Sequence, residues 1–181
     1  ADPRDTLDLM RSGDVVAALT TSKTPLHGFK SLTVGRQLHL AVATPAFLAD
    51  YFSEGVTERA LRAAPALRLD PTDKSVTDWI AQITGKPVST TIRQLPSVDA
   101  VLCACLRGNG WAVLSAQLVE DYLSNGSLVE LVPDTPLTTD LYWHVAQIMT
   151  ERLSELSASI RGFVKRDVPA TASAKSSQSA S

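Results

Sequence analysis

An α/β fold is predicted by three features of this 181-residue sequence. Short apolar runs alternate with stretches of helical periodicity over most of its length. Gly, Pro and Asn-Gly signals punctuate the junctions. Apolar residues make up 44% and charged residues 20%, the balance of a globular chain that can bury a core. Together these predict a mostly parallel sheet with helices on both faces. Ligands of such sheets lie outside the carboxyl ends of the strands, beside helix N-termini.

In chain order, Asp5 to Ser12 reads as a short helix stopped by Gly13, and Val15 to Thr20 as a buried strand. A loop with Pro25 and Gly28 leads to a longer strand, Leu32 to Ala43. Pro45 suits the first turn of a helix reaching Phe52. Thr57 caps or begins a short helix to Ala63, and Ala66 to Leu69 is a strand. A helix from Asp73 to Thr84 presents Val76, Ile80 and Ile83 on one face and ends at Gly85 and Pro87. After a strand from Ser89 to Leu95, Ser97 caps a helix with Val98, Val101, Leu102 and Cys105 at the i, i+3, i+4, i+7 spacing. Gly108 ends it. Trp111 to Leu114, Ser127 to Leu131 and Leu141 to Val145 read as strands, with a helix from Ala116 to Leu123 among them. A long helix is expected from Gln147 to Lys165, with Met149, Leu153, Leu156, Ile160 and Phe163 as its apolar stripe. From Pro169 the chain is Ala, Ser, Thr, Lys and Gln without periodicity, so residues 168–181 are expected to be a disordered tail.

The net charge of −2 argues against nucleic-acid binding by this chain's own field. Cys103 and Cys105 alternate on one helix, so they point apart and no disulfide is expected. His27, His39 and His144 lack metal-ligand spacing, and Gly-x-Ser-x-Gly is absent. Gly108-Asn109-Gly110 is too short for a phosphate loop. No cofactor, metal or catalytic constellation is therefore expected, and the chain is not read as an enzyme. No apolar stretch is long enough to span a membrane. Reduced thiols fit a cytoplasmic protein.

Four stretches resemble one family. They are Arg11-Ser12-Gly13-Asp14-Val15-Val16-Ala17-Ala18-Leu19-Thr20, Ala41-Val42-Ala43-Thr44-Pro45, Pro96-Ser97-Val98-Asp99-Ala100-Val101 followed by Arg107-Gly108-Asn109-Gly110-Trp111, and Leu141-Tyr142-Trp143. In order and spacing they resemble the effector domain of LysR-type transcriptional regulators, in the lysine- and arginine-sensing ArgP/LysG branch. The resemblance implies a two-lobed, type 2 periplasmic-binding-protein-like effector domain truncated at its N-terminus. Lobe I would comprise residues 1–43 and the return at 137–167, and lobe II residues 44–136. It implies lysine or arginine as effector, a homodimer or tetramer in the full-length protein, and DNA contact only through a missing N-terminal helix-turn-helix.

Within that frame the ligand-binding candidates are Ser97, Val98, Thr20, Thr44, Asp2 and Asp73. Ser97 is a helix cap on the plain reading; the resemblance adds a carboxylate facing the same helix N-terminus, which Val98 opens. Asp2, with Asp5 nearby, falls where the family carries acidic residues, although Pro3 departs from that pattern; a basic effector needs an anionic partner, while the plain reading of both is a solvated, frayed terminus. Asp70 and Asp73 are alternative carboxylates that also read as caps. Thr20 ends a strand and Thr44 lies at the first proposed crossing; either hydroxyl is placed to line the cleft, and both equally read as ordinary strand-end residues. Trp111 and Trp143 read as core aromatics. Rival readings are a transporter's solute-binding protein, which needs a leader or anchor, an enzyme on the same scaffold, and an inactive remnant.

Overall fold

A computed structural model describes residues 3–166, with side chains described over residues 8–160. Asp2, the side chain of Asp5 and the tail from residue 168 lie outside these described residues. The chain forms two compact units: one holds residues up to Gln37 and from Thr139 onward, the other Leu38–Thr138. The two connections fall inside strands β2 (Phe29–Ala43) and β7 (Leu137–Ala146).

The continuous unit is built around β2, β3 (Ala66–Arg68), β4 (Ile92–Gln94) and β5 (Trp111–Ser115), in the order β2-β5-β3-β4, with β6 (Val129–Glu130) beside β2. β4 and β5 each run parallel to β3, and each is reached through a helix. Those helices are α4 (Ser75–Thr84) and α5 (Val98–Leu106). Strand alternation sorts the core into two layers. Ala41, Ala43, Ala66, Trp111 and Val113 face one side with Val76, Trp79 and Ile80 of α4 and residues of α2 (Pro45–Phe52) and α3 (Glu58–Ala63). Val42, Leu67, Ala112 and Leu114 face the other, with Val101, Leu102 and Cys105 of α5 and Val119 of α6 (Ala116–Ser124). Burying a side chain the size of Ile80 or Leu61 contributes about 2–3 kcal/mol.

The remaining unit holds α1 (Pro3–Ser12), β1 (Ala17–Thr20), most of β7, the first part of β2, a 3-10 turn at Gln147–Met149 and α7 (Ser154–Arg166). β1 pairs antiparallel with β7, from Ala17 opposite Val145 to Thr20 opposite Tyr142. Val34, Trp143 and Val145 form a small core with Leu153 and Ile160 against it.

The structure corrects the expectation of a mostly parallel sheet. β1 with β7, β2 with β5 and β2 with β6 are all antiparallel. Parallel pairing is confined to the strands joined by crossover helices, because only such a connection returns the chain in the same direction. The long C-terminal helix is also corrected. Thr150 Oγ1 donates to the Gln147 carbonyl at 2.9 Å, a side-chain bond that competes with the helical ladder, and the chain turns before α7 begins at Ser154. Ser157 and Ile160 of this helix face inward, with Leu153 just before it, whereas Leu156 is exposed. Ser157 Oγ accepts the Trp143 indole N–H at 2.9 Å. The fourth helix starts at Ser75, two residues after Asp73.

The Arg107–Trp111 stretch has a complete local explanation. Gly108 N donates to Cys105 O at 2.9 Å and Asn109 N to Ala104 O at 3.0 Å, the paired bonds of a left-handed helix stop, with Gly108 at φ +71°. At Gly110 the constraint is space: a Cβ there would lie 2.7 Å from the Pro65 carbonyl oxygen and 2.8 Å from Leu67 Cγ.

Candidate functional site

The chain runs from β3 through α4 out to β4, then back through α5 to β5 on the other side of β3. Because such crossovers are right-handed, the reversal puts α4 and α5 on opposite faces of the strands. The carboxyl ends of β3 and β4 therefore part at a topological switch point, the place where open α/β sheets bind ligands. α4, α5 and α6 all begin at this edge, since they follow the carboxyl ends of β3, β4 and β5. Ser115, paired with His39, brings the crossing part of β2 to the same edge.

Three sequence candidates gather there. Ser97 is exposed and its Oγ accepts the Ala100 N–H at 3.1 Å, capping α5, and Val98 beside it is also exposed. Asp73 precedes α4, and its Oδ1 accepts the Ser75 N–H at 2.9 Å. Asp70 Oδ1 accepts the Thr72 and Asp73 N–H groups, and bonds from the Thr72 side chain and backbone hold its carboxyl below the ordinary range.

Two candidates lie elsewhere. Thr44 caps α2, its Oγ1 accepting the Phe47 N–H at 3.2 Å. It stands 3.6 Å from where Gly108 would carry a Cβ, so it lies at the C-terminal end of α5, about 14 Å of helix away from Ser97. Thr20 belongs to the other unit, where it is buried with its Oγ1 accepting the Ser22 N–H at 3.1 Å. On the same face of the β1–β7 pair lies His144, fully buried, and burial holds its imidazole below the ordinary value, partly offset by the Ser22 backbone.

Sequence reasoning missed Arg68 and passed over His39. Arg68 is the last residue of β3; alternation after Ala66 turns it to the α4 face, where its Nε is buried without a hydrogen bond. Its guanidinium acts on Asp70. His39 shares that face with Ala41, and its Nδ1 is likewise buried and unpartnered. Burial lowers the His39 pKa, while Asp73 and then the Leu137 backbone oppose that shift. The signal for both residues was period-two alternation carried one step beyond the apolar run. The edge thus offers helix N–H groups and a guanidinium to an anion, and Asp73 to a cation. Both cysteines are free, and burial pushes the Cys105 thiol up to about 12, which suits a core residue rather than a nucleophile. Among the described residues no His, Cys, Asp and Glu group forms a metal cage.

A sheet with helices on both faces, a switch-point edge and two chain connections between compact units define a ligand-binding domain of the two-lobed, type 2 periplasmic-binding-protein-like class. The chain belongs to the LysR substrate binding domain family, whose model matches residues 1–165. It is 31% identical over 168 residues to the HTH-type transcriptional regulator ArgP of Vibrio cholerae, covering 91% of this chain and 55% of that protein. It superposes on the C-terminal domains of a LysR family protein from Agrobacterium tumefaciens with TM-score 0.86 and 38% identity, covering 92% of this chain and 80% of that one. It also superposes on the regulator LysG of Corynebacterium glutamicum with bound effector Arg, with TM-score 0.77 and 27% identity, covering 92% and 56%. The chain spans about half the length of the curated relatives it matches. Those relatives are HTH-type transcriptional regulators. Among the described residues no helix is long and apolar enough to cross a membrane.

Proposed function

We propose that this chain is the sensing domain of a cytoplasmic LysR-type regulator whose effector is arginine or lysine, and that it performs no catalysis. The observation that carries the reading is the switch-point edge, where Ser97 and Arg68 suit an α-carboxylate and Asp73 suits a basic side chain. The similarity to LysG with bound Arg supports the effector class. The two units are proposed as the two lobes, with the connections through β2 and β7 as hinge. Effector binding would bias one arrangement of the lobes, which requires tighter binding to that arrangement than to the other. In the whole protein, DNA contact would belong to a helix-turn-helix outside this chain, working in a dimer or tetramer on genes of amino-acid export or metabolism.

Titration calorimetry with L-arginine, L-lysine and L-leucine tests the effector. Saturable heat with arginine or lysine and none with leucine is expected. Absence of heat with both basic amino acids overturns the assignment.

A further inference from the structure

Arg68 is a cation fixed by its backbone and left without an acceptor. It is the last residue of β3, paired with Gln94 of β4, and its carbonyl accepts the Leu95 N–H at 3.0 Å. That bond ties it to the strand end from which α5 starts, two residues before the Ser97 cap. Alternation turns its side chain to the face that carries Ala66, Trp111 and Val113, and its Nε is buried there with no hydrogen-bond partner among the described residues. The carboxylates that follow it in the chain are engaged by their own turn. Asp70 Oδ1 accepts the Thr72 N–H at 2.6 Å, the Thr72 hydroxyl at 2.5 Å and the Asp73 N–H at 3.1 Å, and Asp73 Oδ1 accepts the Ser75 N–H at 2.9 Å. Ion pairs among the described residues join Arg11 to Asp8, Arg36 to Asp140 and Lys86 to Glu58, and none includes Arg68. Arg93 on the adjoining strand differs, since its guanidinium donates to the Asn109 carbonyl at 3.1 Å.

A guanidinium keeps its protons, so this buried N–H cannot be silenced by deprotonation. A buried donor without an acceptor is costly, and the planar fork of Nε and Nη matches the two oxygens of a carboxylate. We propose that Arg68 is the specificity-determining residue for a free α-carboxylate on the effector: its Nε–H and one Nη–H take the two carboxylate oxygens at the carboxyl end of β3, and a basic ligand that lacks this group binds weakly. The inference rests on the reading of this edge as the effector site. It deepens that reading by assigning the choice of basic amino acids over basic amines and amides to one side chain. The same bond supplies the acceptor that the buried Nε–H lacks, so the carboxylate gains more here than it would from an exposed, solvated arginine.

Calorimetry with L-arginine, L-argininamide and agmatine, the decarboxylated form of arginine, tests it in the wild-type chain and in Arg68→Gln. The wild-type chain is expected to bind L-arginine at least about tenfold more tightly than either analogue. In Arg68→Gln the affinity for L-arginine should fall to that of the analogues, while the analogues bind as they do to the wild type; a general loss of structure would weaken all three together. Arg68→Met, which keeps an apolar stem for packing, serves if the first variant melts early. Equal binding of the three ligands by the wild-type chain, or a preference for L-arginine that persists in either variant, overturns the proposal and leaves the effector assignment standing. Failure of both L-arginine and L-lysine to bind the wild-type chain overturns both.

Discussion

Single residues here carry separable duties, and Ser97 is the clearest case. As a cap it satisfies the Ala100 N–H, and Ser97→Ala should cost about 1 kcal/mol by chemical denaturation. Ser97→Asp keeps a good capping side chain but adds a negative charge at the proposed carboxylate position. Stability should be retained while arginine affinity falls by at least about tenfold; unchanged affinity would confine Ser97 to capping. Gly110 has a purely steric duty, so Gly110→Ala should destabilise by about 1–3 kcal/mol with no selective effect on effector binding, as urea melts and calorimetry would show. The buried histidines set a pH dependence of stability. Both His39 and His144 bind protons less readily in the folded chain, so the unfolded chain holds more protons on the acid side. Stability is full above the unfolded value of about 6.5 and is lost as pH falls through it toward the folded values. Melting temperature should drop between about pH 7.5 and about pH 5.5, and His144→Leu should shrink that drop.

At the scale of elements, boundaries follow local chemistry where the chemistry is strong. Thr57 and Ser97 cap their helices as their types and positions foretell, Gly108 stops α5, and Thr44, read only as a strand end, caps α2. Where a segment's periodicity was read alone, it misled. The stripe predicted through Leu156 has its exposed member there, and Ser157 turns inward, because the turn at Thr150 resets the helix phase. The Trp143 indole N–H then needs an acceptor in a small apolar core, and Ser157 supplies it. Ser157→Ala should cost about 1–3 kcal/mol by leaving that N–H unpaired, and a change of this size in a denaturant melt checks it. Trp79, the aromatic at the centre of the α4 face, was absent from the predicted stripe, although it lies one position before Ile80 and three after Val76.

Over the whole molecule, the two units carry unequal cores. Among the described residues, Leu38–Thr138 holds both large buried clusters, and the other unit holds the small one around Trp143. Local opening should therefore be easier in the latter, and amide exchange of β1 should be faster than that of β3 and β5. Equal protection of these strands would contradict that ordering. What the sequence by itself determined was the α/β class, most helix caps and stops, and the family, because each rests on local spacing or on residue order along the chain. Which candidates meet was decided by tertiary structure alone. Ser97 and Asp73 converge because a crossover reverses direction around β3, and Thr44 is carried to the far end of α5 by the antiparallel run of β2. His39 and Arg68 join the edge through strand register, a pairing between residues far apart in the chain that no local pattern encodes.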